Sequence, residues 1–328
     1  DEFGFDKGKL WGAIAKGKLR AQLGQYAEAE TSYRKALSIS EQMGDRLGVS
    51  QSLIQLGTVS QSRGELDIAL EYYQHALAIF EELGDRVSVG HTLTKVGTVC
   101  QSRGELDKAL EYYQHALAIF EELGDRASIG QMLTNVGEIY QTRGEIDKSL
   151  QYYQQSLAIF REIGDRRSER QALSQLGYVY ELTGRYSEAE RIYQESLAVA
   201  QEIGDRQGVS RVLSQIGSIC ASMARYAEAE RYYQEALAIS EELDDRQGVG
   251  NALTNIGHIY QRMARYEDAA SLYQKSIAVL ESIGDMHAVG ISLYNLANVY
   301  SVQGRLQESN ELYRRSLELF EKIGDLRS

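Results

Sequence analysis

The feature that most constrains this chain is a period of forty residues that runs through it without insertion or deletion. It is marked by the joints Gly44-Asp45, Gly84-Asp85, Gly124-Asp125, Gly164-Asp165, Gly204-Asp205, Asp244-Asp245, Gly284-Asp285 and Gly324-Asp325. Residues 61–86 and 101–126 are near copies that differ only at Ile68 and Lys108. A period of this size is typical of stacked repeats, so we expect one array rather than several unlike domains.

Each period contains two stretches with apolar residues at helical spacing. In one unit the first face is Leu93, Val96, Val99 and Cys100, and the second is Leu106, Ala109, Leu110, Tyr113, Ala116, Leu117 and Phe120. Gly104 between them suits the left-handed residue that ends a helix. Asp125 after Gly124 can cap the next helix, which explains how 328 residues fold without proline. Each unit is therefore a predicted helix pair.

Small residues recur inside both helices of the pair. Glycine stands within the first helix at Gly57 and Gly97, and alanine within the second at Ala69 and Ala109. Glycine inside a helix costs about 1 kcal/mol relative to alanine, so its repetition indicates close packing. We expect the glycine to face the alanine, and the invariant tyrosine, such as Tyr113, to lie at the seam between units.

These positions resemble the tetratricopeptide repeat. The matching residues are Leu93, Val96-Gly97, Cys100, Gly104, Leu106, Ala109, Tyr113 and Ala116-Leu117. The forty-residue form with its joints resembles the repeats of Pins/LGN-type adaptors and of bacterial signalling proteins that join such arrays to NTPase or CHAT protease domains. The resemblance implies an all-α, right-handed superhelical solenoid of about eight helix pairs, with the first helix of each pair lining the concave surface.

We divide the chain into three parts. Residues 1–24 form a degenerate first helix or N-terminal cap, because Lys16-Gly17-Lys18-Leu19 replaces the usual apolar pattern. Residues 25–323 form the array, and residues 324–328 are expected to start a truncated further helix. The unfinished ends could promote self-association.

Composition restricts the partners. A formal charge of −12 disfavours nucleic acid and anionic membranes, which attract basic surfaces. No apolar run is long enough to span a bilayer, and two cysteines 120 residues apart favour a reducing compartment. We expect a cytoplasmic protein whose partner is a protein or peptide.

The candidate binding site is the row of first-helix residues that the core does not need. It comprises His91, Lys95, Gln131, Thr134, Asn135, Glu138, Gln171, Gln175, Tyr178, Arg211, Gln215, Asn251, Asn255, His258, Tyr294, Asn295 and Asn298. Amide side chains can pair with a peptide backbone, so an extended segment is the expected ligand, although polar residues on any helix face also serve solvation. The charges are mixed, and the Lys and Asn pattern of a carboxylate clamp is incomplete.

No catalytic, metal or cofactor site is predicted. Residues 12–18 fit the beginning of a phosphate-binding loop, but Leu19 replaces its Ser or Thr. The five histidines lack metal-ligand spacing, and Cys100 and Cys220 stand at core positions. We therefore expect a protein-interaction scaffold or sensor that is not an enzyme. The alternatives are an array that restrains a fused or bound NTPase or protease, and a consensus-like structural array without a natural ligand.

Overall fold

A computed structural model describes residues 2–324, with side chains from residue 7 onward. These residues form sixteen α-helices in eight antiparallel pairs and no strand. The all-α repeat of eight helix pairs is thereby confirmed. The expected start of a further helix at residues 324–328 lies, beyond Gly324, outside the described residues.

The chain divides into two compact units, the first ending at Gly164 and the second beginning at Asp165. The pairs of the first unit are α1 (Glu2–Gln22) with α2 (Tyr26–Met43), α3 (Arg46–Ser62) with α4 (Leu66–Leu83), α5 (Arg86–Ser102) with α6 (Leu106–Leu123), and α7 (Arg126–Thr142) with α8 (Ile146–Ile163). Within this unit each second helix packs against the first helix of the following pair.

The second unit repeats this arrangement. Its pairs are α9 (Arg166–Leu182) with α10 (Tyr186–Glu202), α11 (Arg206–Ser222) with α12 (Tyr226–Glu242), α13 (Arg246–Arg262) with α14 (Tyr266–Ile283), and α15 (Met286–Val302) with α16 (Leu306–Ile323). Here too, successive pairs pack through a second helix and the next first helix.

The joints form as the sequence predicts. Gly84 ends α4 with φ of 69°, and the Asp85 carboxylate accepts a hydrogen bond of 3.1 Å from the Ser88 backbone N–H at the start of α5. Within pairs, Gly104 takes the same left-handed conformation with φ of 75°. Ala224 and Ala264 do so without being glycine, with φ of 58° and 59°.

In the first seven helix pairs, the glycine that recurs inside the first helix, which we call the notch glycine, lies against the ring of the tyrosine of its own pair. In the last pair Ala297 takes the place of this glycine. A Cβ built on Gly57 would lie 2.5 Å from Cε1 of Tyr73, and one on Gly97 would lie 2.6 Å from Cε1 of Tyr113. Both tyrosines are fully buried. The glycine removes the one side chain that would prevent the ring from lying flat against the partner helix of its own pair.

The recurrent tyrosine of the second helix also packs against the next pair, as expected for a residue between successive units. Tyr33 shares a core cluster with Leu56 and Val59 of the next pair. The Tyr73 hydroxyl remains hydrogen-bonded, lying 3.0 Å from Oε1 of Gln61 and 3.2 Å from the Thr58 hydroxyl. A buried polar tip therefore keeps its partners.

The first helix is less degenerate than its sequence suggests. In α1, Leu10, Ala13 and Ile14 are buried. Gly17 faces Tyr33 as the other notch glycines face their tyrosines. The lysines on either side of Gly17 are exposed, and they obscured a pattern that α1 otherwise keeps. Residues 12–19 lie inside this helix, where a phosphate-binding loop cannot form.

Candidate functional site

The predicted row lies on one face of the first helices, which we call the first-helix face. It consists of Gln131, Thr134, Asn135 and Glu138 of α7 and of the residues at the same repeat positions in the other first helices, reached by steps of forty residues. The row is described separately for each unit. Gln131 is exposed and Asn135 is half-buried. The Gln131 amide donates a 3.0 Å hydrogen bond to Oδ1 of Asn135, so the two amides form a connected polar patch one helical turn apart.

In the first unit, some members of the row are free and others serve packing. His91 is exposed, with its ring centroid 5.1 Å from that of Phe120. Glu138 is half-buried. Thr134 is the least available member, because its hydroxyl lies 2.7 Å from the Ser156 hydroxyl and 3.1 Å from the Gly130 carbonyl oxygen. Thr134 therefore contributes to the packing of its own pair.

Lys95 is the one half-buried lysine of the row. Its Nζ lies 5.7 Å from the centroid of the Tyr73 ring, within range of a cation–π contact. Burial lowers the pKa of the Lys95 ammonium from its ordinary value. The Lys95 ammonium is therefore less well hydrated, and its charged form less stable, than in bulk water.

In the second unit the row again alternates between exposed and half-buried positions. The exposed members are Gln171, Tyr178, Arg211, Asn251, His258 and Tyr294, and the half-buried ones are Gln175, Gln215, Asn255, Asn295 and Asn298. The buried Oε1 of Gln215 has no hydrogen-bond partner in this part of the chain. The row thus offers an acceptor that a bound donor could satisfy.

Two members of this row interact with their neighbours. Although the surface of His258 is exposed, partial loss of hydration around its ring lowers its pKa, and the adjacent Arg262 guanidinium lowers it further, which favours the neutral form. Asn298 accepts a 2.6 Å hydrogen bond from the Tyr313 hydroxyl. Tyr313 is half-buried, unlike its fully buried counterparts, in the pair where Ala297 replaces the notch glycine.

Neighbouring first helices contact one another directly. In the first unit, the Thr94 hydroxyl of α5 lies 3.3 Å from Sδ of Met132 in α7. In the second unit, the hydroxyls of Thr254 in α13 and Ser292 in α15 are 2.9 Å apart. Neighbouring first helices of a unit are therefore in direct contact beside the row.

An open cavity lies on the first-helix face of each unit. The first has a volume of about 320 Å³ and is lined by α1, α3 and α5, with Phe80 of α4. The second has about 450 Å³ and lies among α11, α13 and α15, lined by residues that include Arg211, Gln215, Asn251 and Asn255. The structure thus brings four predicted residues together in the second cavity.

The residues that α1 contributes to the first cavity are not among the predicted site residues. Trp11, Ile14 and Lys18 line it beside the predicted His91 and Lys95. The signal was present, because Trp11 precedes Gln51 and His91 by one and two periods. The interrupted apolar pattern of residues 16–19 hides this register.

Reactive groups are not collected on this face. Cys100 and Cys220 are buried with free thiols, and burial raises the pKa of both. Among residues 7–324, no group of three or more His, Cys, Asp and Glu side chains could hold a metal ion. No helix in the described part of the chain is long and apolar enough to cross a membrane.

Solved structures with low sequence identity share this fold. The apo form of RapI matches with a TM-score of 0.74 and 19% identity, over 97% of this chain and 87% of that one. A signal transduction ATPase with a tetratricopeptide repeat sensor from Pyrococcus horikoshii has a TM-score of 0.70 and 19% identity, covering 94% of this chain and 47% of that one.

A third similar structure contains a ligand. The Rap conjugation gene regulator of plasmid pLS20, in complex with the Phr* peptide, matches with a TM-score of 0.62 and 14% identity. The match covers 98% of this chain and 96% of that one. No curated protein matches the chain significantly in sequence.

The family assignment comes from the sequence of the repeats. A model described as tetratricopeptide repeat matches residues 12–82, 48–122, 88–162, 128–202, 168–242, 208–282 and 248–322. Each match spans about two helix pairs, and together they cover nearly all of the chain. The chain therefore belongs to the tetratricopeptide repeat family.

Proposed function

We propose that the chain is a protein-interaction module whose first-helix face binds an extended peptide or protein segment. One observation carries the proposal: amides recur at one half-buried position of consecutive first helices beside an open cavity. In the second unit these are Gln175, Gln215, Asn255 and Asn295. A carboxamide offers both a donor and an acceptor, as each peptide unit of an extended backbone does. The face can therefore bind backbone without demanding one sequence.

The spacing of the helices suits such a ligand. Contacting helices lie about 8–10 Å apart, and an extended chain advances about 3.3 Å per residue, so each first helix corresponds to about three ligand residues. Four first helices in a unit would take a segment of about twelve residues. One structure of the same fold is a complex with a peptide, which supports this choice of ligand.

The proposal gives the chain a binding role rather than a catalytic one, because the open face presents amides and hydroxyls while both thiols are buried. A cytoplasmic location, a lack of affinity for nucleic acid and self-association through the ends remain predictions. Two alternative functions also remain predictions: an array that restrains a fused or bound NTPase or protease, and a structural array without a natural ligand.

The test is peptide selection followed by matched substitutions in the second unit. A displayed library of peptides of about twelve residues is selected on the protein, and affinities are measured by calorimetry. Replacing Gln175, Gln215 and Asn255 with Ala should weaken binding about 10- to 1000-fold, because each of the three lost hydrogen bonds contributes about 0.5–1.5 kcal/mol.

The control removes the same chemistry from second helices. Gln194, Gln201 and Gln234 are exposed amides on α10 and α12, and replacing these with Ala should leave the affinity unchanged. Circular dichroism melts check that both variants fold. Equal affinities for the two triple variants would place the ligand elsewhere.

A further inference from the structure

The first cavity differs in character from the second. Its apolar lining is Trp11, Ile14, Ile54 and Phe80. Lys18 and Lys95 also line it, and no Asp or Glu does. In a chain with a formal charge of −12, this cavity is a local cationic site with an apolar floor.

Lys95 departs from the rule of its own repeat. The equivalent residue is an amide in the other complete first helices of the array, namely Gln55, Asn135, Gln175, Gln215, Asn255 and Asn295. Among the described residues, no Asp or Glu forms an ion pair with Lys95. A half-buried ammonium without a carboxylate is destabilised by partial loss of hydration, and a bound carboxylate would relieve that cost.

Apolar contact and positive charge meet in this cavity. Trp11 is 60% exposed, which is unusual for the largest apolar side chain in a folded domain. It belongs to the same cavity as both lysines. A ligand that covers the indole would therefore bring its neighbouring groups near Lys18 and Lys95.

We propose that this cavity binds a peptide segment in which a carboxylate side chain adjoins bulky apolar side chains. The carboxylate lies near Lys95 and Lys18, and an apolar neighbour covers Trp11, Ile14 and Ile54. The inference rests on the proposed function in taking the ligand to be a peptide. It adds a charge preference that the mixed charges along the sequence did not reveal.

Trp11 supplies the measurement, because it is the only tryptophan of the chain. The probe is acetyl-Ser-Leu-Glu-Leu-Ser-amide, titrated while the emission maximum of Trp11 is recorded. We expect a saturable blue shift as the indole loses contact with water. The same peptide with Gln in place of Glu should bind about tenfold more weakly, because a hydrogen bond to a charged group contributes more than a neutral one.

Further peptides identify the source of each contact. Acetyl-Ser-Ala-Glu-Ala-Ser-amide tests the apolar contact and should also bind more weakly. Acetyl-Ser-Leu-Gln-Leu with a free terminal carboxylate separates the two sources of negative charge. Binding of this peptide as tight as that of the Glu peptide would contradict a side-chain carboxylate as the preferred ligand.

Matched lysine variants test the role of Lys95. Lys95→Gln installs the amide that sibling helices carry, so the fold should persist. It should lose about tenfold in affinity for the Glu peptide and none for the Gln peptide. Lys35→Gln changes the net charge equally at an exposed position of α2 outside the cavity, and it should bind as the parent does.

Two further results would overturn the proposal: no change in Trp11 emission with millimolar Glu peptide, or equal affinities for the Lys95→Gln and Lys35→Gln proteins. Neither depends on the second unit, where the amide substitutions test the proposed function. Suppose that the triple Ala variant of the second unit loses library-peptide binding, but the Glu peptide fails these tests. The first-helix face would then remain the proposed binding surface, and only the charge preference of the first cavity would be abandoned.

Discussion

At the residue scale, the notch glycines are the most constrained positions in the fold. A Cβ on Gly97 would lie within 2.6–2.8 Å of the nearest two ring atoms of Tyr113, which is fully buried and cannot swing into solvent. Gly97→Ala should therefore destabilise the protein by about 1–3 kcal/mol despite the better helix propensity of alanine. Urea unfolding measured by circular dichroism checks this value.

The control is a helical glycine with open space around it. Nothing lies within 4 Å of a Cβ built on Gly12, so Gly12→Ala should stabilise by up to about 1 kcal/mol. Equal and small effects at Gly12 and Gly97 would mean that the tyrosine does not need the notch.

A second residue-scale prediction concerns the non-glycine joints. Ala224 takes the left-handed conformation, φ 58°, where sibling pairs have Gly64 and Gly104. Because this conformation costs an L-residue about 1–2 kcal/mol, Ala224→Gly should raise the free energy of unfolding by about 1 kcal/mol. Ala198→Gly, in an exposed helical position of α10, should lower it by a similar amount. A loss of stability in both variants would contradict the assigned backbone conformation.

The sequence predicts which residues are buried better than it predicts which ones touch. Gly97, Ala109 and Tyr113 all recur with the same period, so periodicity alone cannot pair them. The contact of the Tyr113 ring with Gly97 depends on how closely the two helices of the pair pack. That depth is set by the whole pair.

At the scale of the helix pair, exposed ion pairs join the start of the first helix to the end of the second helix of the same pair. Five pairs join the arginine after a joint to a glutamate near the end of the second helix, at Arg46–Glu82, Arg86–Glu122, Arg126–Glu162, Arg166–Glu202 and Arg206–Glu242. In α13–α14, Ser282 replaces the glutamate, and Arg246 bonds Asp244 at 3.0 Å instead.

Restoring the missing partner tests the worth of this contact. Ser282→Glu should stabilise by no more than about 0.5 kcal/mol, because exposed ion pairs contribute little. The gain should vanish in about 1 M salt, where the Debye length is about 3 Å. Ser271→Glu, exposed elsewhere on α14, is the charge-matched control, and thermal melts at two salt concentrations provide the comparison. A gain that persists in high salt would contradict an electrostatic origin.

At the scale of the whole molecule, the buried tyrosines link stability to alkaline pH. Burial raises the pKa of Tyr113 to about 12 and also raises those of Tyr73, Tyr153, Tyr193, Tyr233 and Tyr273. The unfolded chain loses these protons near pH 10 while the folded chain keeps them, so the unfolded state binds fewer protons above pH 10. Stability contributed by the neutral phenols is complete below about pH 10 and is lost as pH rises through the folded values.

The slope is measurable. Each buried tyrosine should lower the free energy of unfolding by about 1.4 kcal/mol per pH unit between its unfolded and folded pKa. Urea melts from pH 8 upward should show this decline, and tyrosinate absorbance should appear together with unfolding. Tyr113→Phe should reduce the slope by one tyrosine's share. Ionisation of all phenols near pH 10 in a folded protein would contradict their burial.

The site was only partly accessible from the sequence. The row of amides followed from removing core positions, and the structure places them beside cavities in each unit. The cationic cavity required three first helices to meet, and its Trp11 and Lys18 lie in the helix whose pattern looked broken. The forty-residue period could have identified these two positions. It could not have shown that Lys95 lacks an acidic neighbour, because that depends on how the helices pack.

Hydrogen–deuterium exchange with a selected peptide bound tests the central claim most directly. In the second unit, the account predicts slower exchange in α9, α11 and α13, whose open faces carry the amides, and little change in α10, α12 and α14. Protection confined to those second helices would contradict the assignment of the first-helix face as the binding surface.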